Sequence, residues 1–345
     1  MTTSFLRHSA TAQAAYHDLV SLLQDDALSD IKGSPTPREI NGRTYWYDRY
    51  RLGKDIREHY LGEETPSLRH RLDRHEELRA TRQDRRRERA RLVRLLRSER
   101  FLGADGAAGS LLAAFAKTGV FRLGGTLVGT HAFRCYEGEL GLRLGFDQNA
   151  MTNDIDIASF DRLSVALGDT TTEPLEEVLS DFQFEATPSL DPRKVWRWRQ
   201  SSSQTLVEFL TPSFRDEEGL LDLAALGVSA QSLHYLEFVL EDAQQAAAVY
   251  REGILIRIPR PERFAVHKLI VADRRIEGPH SIKARKDLMQ AELLLAILAE
   301  DRPVDLAEAY DDAMARGGRW RERIEQSLGR SESAAGSIER ARRSP

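Results

Sequence analysis

The chain is 345 residues long, room for about two domains, and its 41% apolar and 30% charged residues describe a globular polypeptide rather than a fibrous or disordered one. Its longest apolar runs, at 111–116 and 293–299, fall far short of the ~20 residues that span a bilayer. The first ten residues hold no apolar stretch of signal-peptide length, so the expectation is a soluble, cytoplasmic protein without a membrane partner. The single cysteine, Cys135, excludes an internal disulfide and a multi-cysteine zinc site. A net charge of −4 hides an asymmetry: residues 69–100 hold thirteen Arg against six acids, a balance of +7, which leaves −11 for the remainder. Such a block points to a polyanionic partner, or to a solvated helix whose interleaved Asp73, Glu76, Glu77, Asp84 and Glu88 pair with it.

In chain order, residues 10–24 have the spacing of an amphipathic helix, with Tyr16, Leu19, Val20 and Leu23 on one side. Gly33-Ser34-Pro35-Thr36-Pro37 reads as a linker, since prolines and a glycine interrupt helix and ladder alike. Asn41-Gly42 predicts a two-residue hairpin turn, and Gly53-Lys54 a second turn, together a small meander. Its aromatics Tyr45, Trp46, Tyr47, Tyr50 and Tyr60 are interleaved with Arg43, Arg49, Arg51 and Arg57. Such a surface either stacks bases and holds phosphates or closes into its own small core. Residues 67–100, without Gly or Pro, predict one long helix begun at Thr65-Pro66-Ser67. That helix packs on its own chain or on a second copy, making an oligomer one of the expectations.

Beyond a boundary near 103, helix and strand patterns mix. A helix is expected at 107–118, a strand at 120–123, a turn at Gly124-Gly125, and a helix from 126 to about 136. Strands follow near 154–159, 195–200, 205–211, 234–240 and 253–258. Helices run from 262 onward, divided by Pro303, and the Ser/Ala/Arg-rich end reads as frayed. The expectation is an α+β chain in four parts. Residues 1–102 carry the N-terminal helix, the aromatic and basic meander and the Arg-rich helix. Residues 103–260 form a small mixed-sheet domain with flanking helices, 261–328 a helical part, and 329–345 a disordered tail.

Three pieces carry chemistry. In Val120-Phe121-Arg122-Leu123-Gly124-Gly125-Thr126, two glycines after an apolar run let the backbone approach an anion at a helix start, or simply make a turn. In Thr152-Asn153-Asp154-Ile155-Asp156-Ile157-Ala158, strand alternation puts Asp154 and Asp156 on one face. Adjacent carboxylates suit a hard divalent cation, Mg²⁺ or Mn²⁺, unless they merely point into solvent at a strand end. In Gln204-Thr205-Leu206-Val207-Glu208-Phe209-Leu210-Thr211-Pro212, Glu208 is a lone acid in an apolar strand. It needs a cation or a partner, with Arg197 or Arg199 of the preceding strand as the competing explanation.

Gly-Gly-Thr, then Asp-x-Asp, then an acid on a later strand resembles the DNA polymerase β-like nucleotidyltransferase superfamily. Leu127-Val128-Gly129-Thr130-His131-Ala132-Phe133 and the Asp-x-Asp and Val207–Pro212 blocks look like a bacterial branch of it. That branch is distantly similar to the AbiEii-type toxin nucleotidyltransferases. The meander ending in Tyr60-Leu61-Gly62 looks like the branch's N-terminal segment. The resemblance implies that Gly124, Gly125 and Thr126 hold the nucleotide's phosphates. It also implies that Asp154 and Asp156 bind both metal ions and that Glu208 completes the site of the ion activating the attacking hydroxyl. Lys268, in Phe264-Ala265-Val266-His267-Lys268-Leu269-Ile270, resembles a basic residue used on the triphosphate; otherwise it is an exposed helical lysine. The long spacing between Thr126 and Asn153 implies an insertion at 137–148 that loops out. Lys286-Asp287 reads as a solvated helix face, His131 as a packing residue and Cys135 as a small buried hydrophobe.

The implied activity is Mg²⁺-dependent transfer of an NMP from an NTP, ATP among the candidates, to an acceptor hydroxyl with release of pyrophosphate. The acceptor is RNA (tRNA included) or protein, and a toxin–antitoxin role follows by analogy. The alternative is a catalytically degenerate nucleic-acid-binding or interaction protein on the same fold.

Overall fold

The computed structural model describes residues 6–27, 33–52, 55–144, 154–160, 169–189, 191–203, 205–276 and 281–343. The architecture is α+β. Helix α1 (Ala10–Ala27) buries Ala12, Ala15, Tyr16, Leu19 and Leu23, a stripe at helical spacing. Three antiparallel strands follow, β1 (Ser34–Ile40), β2 (Arg43–Leu52) and β3 (Asp55–Glu63), in that order across the sheet. The segment read as a linker is therefore a strand. Both prolines lie on the edge strand β1, where a missing N–H costs little, opposite Asp48 and Trp46. Asn41 and Gly42 make the expected turn with φ of 53° and 74°. Gly53-Lys54 lies outside the described residues.

Helix α2 (Pro66–Ser98) is continuous, as its composition predicts. Thr65 Oγ1 caps it by accepting from Leu68 N at 3.2 Å. Leu68 and Leu72 near its start pack with Trp46 and Leu61 of the meander. Leu92, Val93 and Leu96 near its end pack with α1, Phe101, Ala247 and Val249. Arg85 and Arg89 pair with Asp26 of α1, and Arg86 pairs with Glu252. Part of the arginine block thus clamps the helix to its own chain.

After α3 (Gly106–Thr118), residues 119–124 form turns rather than a strand. Val120 N bonds back to Phe115 O, and Gly125 N to Val120 O. The strand comes later, β4 (Thr126–Val128), and helix α4 (Gly129–Leu140) begins at Gly129 rather than Thr126. The expected outward loop at 137–148 starts inside that helix, with Glu137 buried; residues 145–153 lie outside the described residues. Strands β5 (Ile155–Ala158), β6 (Phe184–Ala186), β7 (Arg197–Gln200), β8 (Leu206–Pro212), β9 (Leu220–Leu223) and β10 (Val228–Leu233) complete the central sheet, with helix α5 (Leu175–Asp181) between β5 and β6. The order is β4-β5-β8-β10-β9, with β7 also paired to β8 and β6 to β7. The strand expected at 234–240 is a turn, with Tyr235 at φ 71°, running into the short helix α6 (Glu237–Leu240). A hairpin of β11 (Gln244–Ala248) and β12 (Ile254–Ile258) leads into five helices. These are α7 (Pro261–Arg274), α8 (Ser281–Asp301), α9 (Pro303–Ala315), α10 (Gly318–Gly329) and α11 (Glu332–Arg343). The last corrects the expected disordered tail: Ala334, Ser337, Ile338 and Ala341 form a buried stripe on α8 and α9.

Candidate active site

The central sheet sorts its side chains by alternation. Ile155, Ile157, Val207 and Phe209 are buried in the core, so Asp156 and Glu208 project from the opposite face. Strands β5 and β8 run parallel with Asp156 directly across from Glu208. Asp154 precedes β5, and its Oδ1 accepts from Leu206 N at 3.2 Å, which ties the acid to the start of β8. Burial, Glu208 and Asp154 push the Asp156 carboxyl up to about 7 against the downward pull of Lys268 and Arg275.

Strand β4 flanks Asp156 on its other side, with Val128 opposite it. There the chain turns into α4 at Gly129, whose φ is +65°. A Cβ at Gly129 would stand 2.3 Å from Asp156 Oδ2, so only glycine fits. The first turn of α4 therefore begins beside the carboxylates.

Gly124, Gly125 and Thr126 sit at the far end of β4. Thr126 pairs with Ala158, is buried, and donates through Oγ1 to Gly124 O at 3.1 Å. Gly125 packs on Val120, and Gly124 faces open space. Gly124, Gly125 and Thr126 thus lie one short strand away from Asp156, and the glycine that meets this acid is Gly129. The usable signal was present in Leu127-Val128-Gly129-Thr130, an apolar run leading into Gly-Thr.

Cations come from the two helices that follow the sheet. Lys268 of α7 is buried and pairs with Asp287 of α8, and Arg275 reaches the same carboxylate. Burial opposes ionisation of Asp287, yet Lys268 and Arg275 together hold it below the usual range. Lys286 donates to Thr130 Oγ1 at 2.8 Å, joining α8 to the start of α4. Burial and the neighbouring Lys268 bring its ammonium down to about 8. The solvated-face reading of Lys286-Asp287 does not hold, because α8 turns this face onto α7 and α4. Burial and Lys268 also lower His267 to about 3, which keeps its ring neutral.

Glu208 has a partner of its own: Arg197, directly across on antiparallel β7, lies 2.6 Å away through Nε. The Arg197 guanidinium rests over the Trp196 ring at 4.3 Å. Among the described residues, no three His, Cys, Asp or Glu side chains gather closely enough to hold a metal ion. His131 is buried, and burial pushes the Cys135 thiol up to about 12, as suits a packing residue.

The N-terminal residues 13–70 match a domain of unknown function (DUF6788). No curated protein matches the chain. A solved structure, an antigenic nucleotidyltransferase-like protein from Paracoccidioides brasiliensis, is similar at 13% identity over 69% of this chain and 94% of that one. Its TM-score of 0.38 is too low to bear on the fold. A family described as nucleotidyltransferase matches residues 107–315, which include every acid, glycine and cation of the site. That match covers more than half of the sequence, and the chain belongs to this nucleotidyltransferase family.

Proposed function

We propose that the chain transfers a nucleotidyl group from an NTP to an acceptor hydroxyl, releasing pyrophosphate, on the face that carries Asp154, Asp156 and Glu208. The observation that carries this reading is the pairing of Asp156 with Glu208 in register, with Gly129 pressed against Asp156 from the other side. The donor set fits Mg²⁺ or Mn²⁺: hard carboxylate oxygens on adjacent positions, and a repulsion that lifts Asp156 and that a divalent cation relieves. Asp154 and Asp156 would hold such ions, and Glu208 would join them on leaving Arg197. Bound there, the ions lower the pKa of the attacking hydroxyl and neutralise charge on the phosphates.

The protein's own groups divide the remaining work. Gly129 leaves a side-chain-free approach to the acids, and the N-terminus of α4 turns the positive end of its helix dipole to that side. The phosphate-holding role expected of Gly124, Gly125 and Thr126 passes in this reading to Gly129 and Thr130. Lys268, Arg275 and Lys286 set a cationic side opposite the acids. Electrostatic stabilisation of the leaving pyrophosphate belongs there. The Arg197–Glu208 contact favours a second reading, a degenerate site in which an arginine has taken the cation's place.

Incubating the protein with each α-labelled NTP, Mg²⁺ and candidate acceptors, and following pyrophosphate, separates the two readings. Metal-dependent pyrophosphate release that disappears in Asp154→Ala and Asp156→Ala supports transfer. Release unchanged in both variants sinks it.

A further inference from the structure

The meander has two unlike faces. Trp46 and Leu61 point to helix α2 and pack on Leu68 and Leu72, so the sheet's own core is made there. Tyr45 and Tyr47 alternate to the other face, and Tyr60 stands directly opposite Tyr47 across the ladder. The Tyr60 ring lies 5.3 Å from that of Tyr47 and 6.3 Å from that of Tyr45. Tyr60 is 50% exposed, and the face is bordered by Ile40 at 47% and Ile56 at 52%. A sheet of this size gains nothing by turning Tyr60 and two isoleucines to water, with Tyr45 and Tyr47 half-buried beside them, unless something covers them.

Around the rings stand arginines. Arg38 lies over the Tyr47 ring at 4.8 Å, and exposed Arg43 and Arg49 follow the same alternation along β2. Glu58 and Glu63 on β3 pair with these arginines, two acids against three cations. On the opposite face of the sheet, α2 carries exposed Arg69, Arg71, Arg74 and Arg82, which add to the positive charge of this part of the chain. Residues 34–100 together hold nineteen Arg or Lys against twelve Asp or Glu, +7 in a chain of net charge −4. About 20 Å of helix separates Leu72, under the meander, from Arg85, which pairs with Asp26 of α1 on the main body. The meander is thus carried on an arm of sign opposite to the body it leaves.

We propose that this tyrosine face binds single-stranded RNA. The exposed Tyr60 ring, set against half-buried Tyr45 and Tyr47 and backed by arginines, matches what a single strand offers, flat bases to stack and phosphates to pair. A stacked duplex hides its base faces and is excluded by the same geometry. The choice of RNA over DNA rests on the proposed reaction, because RNA brings a hydroxyl at every nucleotide as well as at its end. Arm and site then divide the acceptor between holding and reaction.

The test is fluorescence anisotropy of the full chain with a labelled oligouridine, an oligothymidine of equal length and an RNA duplex, without NTP. Oligouridine should bind most tightly, with affinity falling steeply as salt rises. Tyr60→Leu should weaken binding about tenfold, the effect of losing one stacked base, whereas Tyr60→Phe keeps the ring and the affinity. The Asp154→Ala/Asp156→Ala double variant should bind RNA like the wild type, which separates failure of this proposal from failure of the catalytic reading. No binding of oligouridine overturns the proposal, as does full affinity in a normally folded Tyr47→Leu/Tyr60→Leu protein. Oligothymidine or duplex held as tightly as oligouridine overturns the assignment to single-stranded RNA.

Discussion

Asp156 faces Glu208 across two parallel strands in register, and Glu208 in turn lies 2.6 Å from Arg197 on the next strand. One carboxylate is thus left to repulsion and the other is neutralised by a guanidinium. Replacing Arg197 by Gln should free Glu208 and tighten Mg²⁺ binding by calorimetry. Weaker Mg²⁺ binding in that variant would show that Arg197 supports the acids rather than competing for one.

Gly129 and Gly124 make a matched pair. Both have positive φ, +65° and +93°, so alanine at either is strained by about 1–2 kcal/mol. Only Gly129→Ala also drives a methyl into Asp156. Thermal melts should show both variants destabilised, while nucleotide binding is lost in Gly129→Ala alone. Loss of binding in Gly124→Ala at retained fold would return the phosphate role to the glycine pair.

Asp287 is shared by Lys268 and Arg275. Lys268→Met leaves Asp287 with one cation, whereas Asp287→Asn leaves two cations facing each other. Breaking a buried pair costs about 3–5 kcal/mol, and Asp287→Asn should sit at the upper end, with the lower midpoint in chemical denaturation. The reverse order would mean that the lysine, not the acid, organises this junction.

The buried contact of His8 Nε2 with Glu137 Oε1, at 3.0 Å, gives a pH signature away from the site. Burial raises the Glu137 carboxyl to about 7 and lowers the His8 imidazole. A carboxyl raised in the folded state favours folding below its unfolded pKa of about 4. That contribution is lost as pH climbs toward 7, by an amount on the order of 3 kcal/mol. Glu137→Gln does not titrate, so its stability relative to wild type should rise between pH 5 and pH 8. A constant difference across that range contradicts the assignment.

Ile338 is 4% exposed in the final helix. Ile338→Ala should cost about 2–4 kcal/mol, as for other buried isoleucines. A loss below the precision of the melt would mean that α11 does not dock.

The aspartates were legible because alternation along one strand is local, and Glu208 because an acid among Val207, Phe209 and Leu210 has to find a partner. The Asn41-Gly42 hairpin and the long α2 were legible for the same local reasons. Residues 120–123 misled: an apolar run reads as a strand, but Val120 and Leu123 are buried by turns closing onto α3. With β4 only three residues long, the local pattern offers two glycine sites, Gly124-Gly125 and Gly129, and only the strand pairing shows that Gly129 meets the acids. Lys286 and Asp287 escaped because their burial arises from α8 packing on α7 and α4, a long-range event that leaves no mark on helical spacing. Likewise, prolines 35 and 37 read as breakers until the ladder shows them on a sheet edge. The tyrosine face was visible as composition, and only the strand register separates it from Trp46 on the opposite side.

The most direct measurement is isothermal titration of each NTP into the full chain with Mg²⁺, beside the Asp154→Ala/Asp156→Ala double variant. Transfer at the paired acids requires metal-dependent binding of at least one NTP by the wild type and none by the double variant at unchanged melting behaviour. Equal binding by both proteins would contradict it and place the nucleotide away from the paired acids.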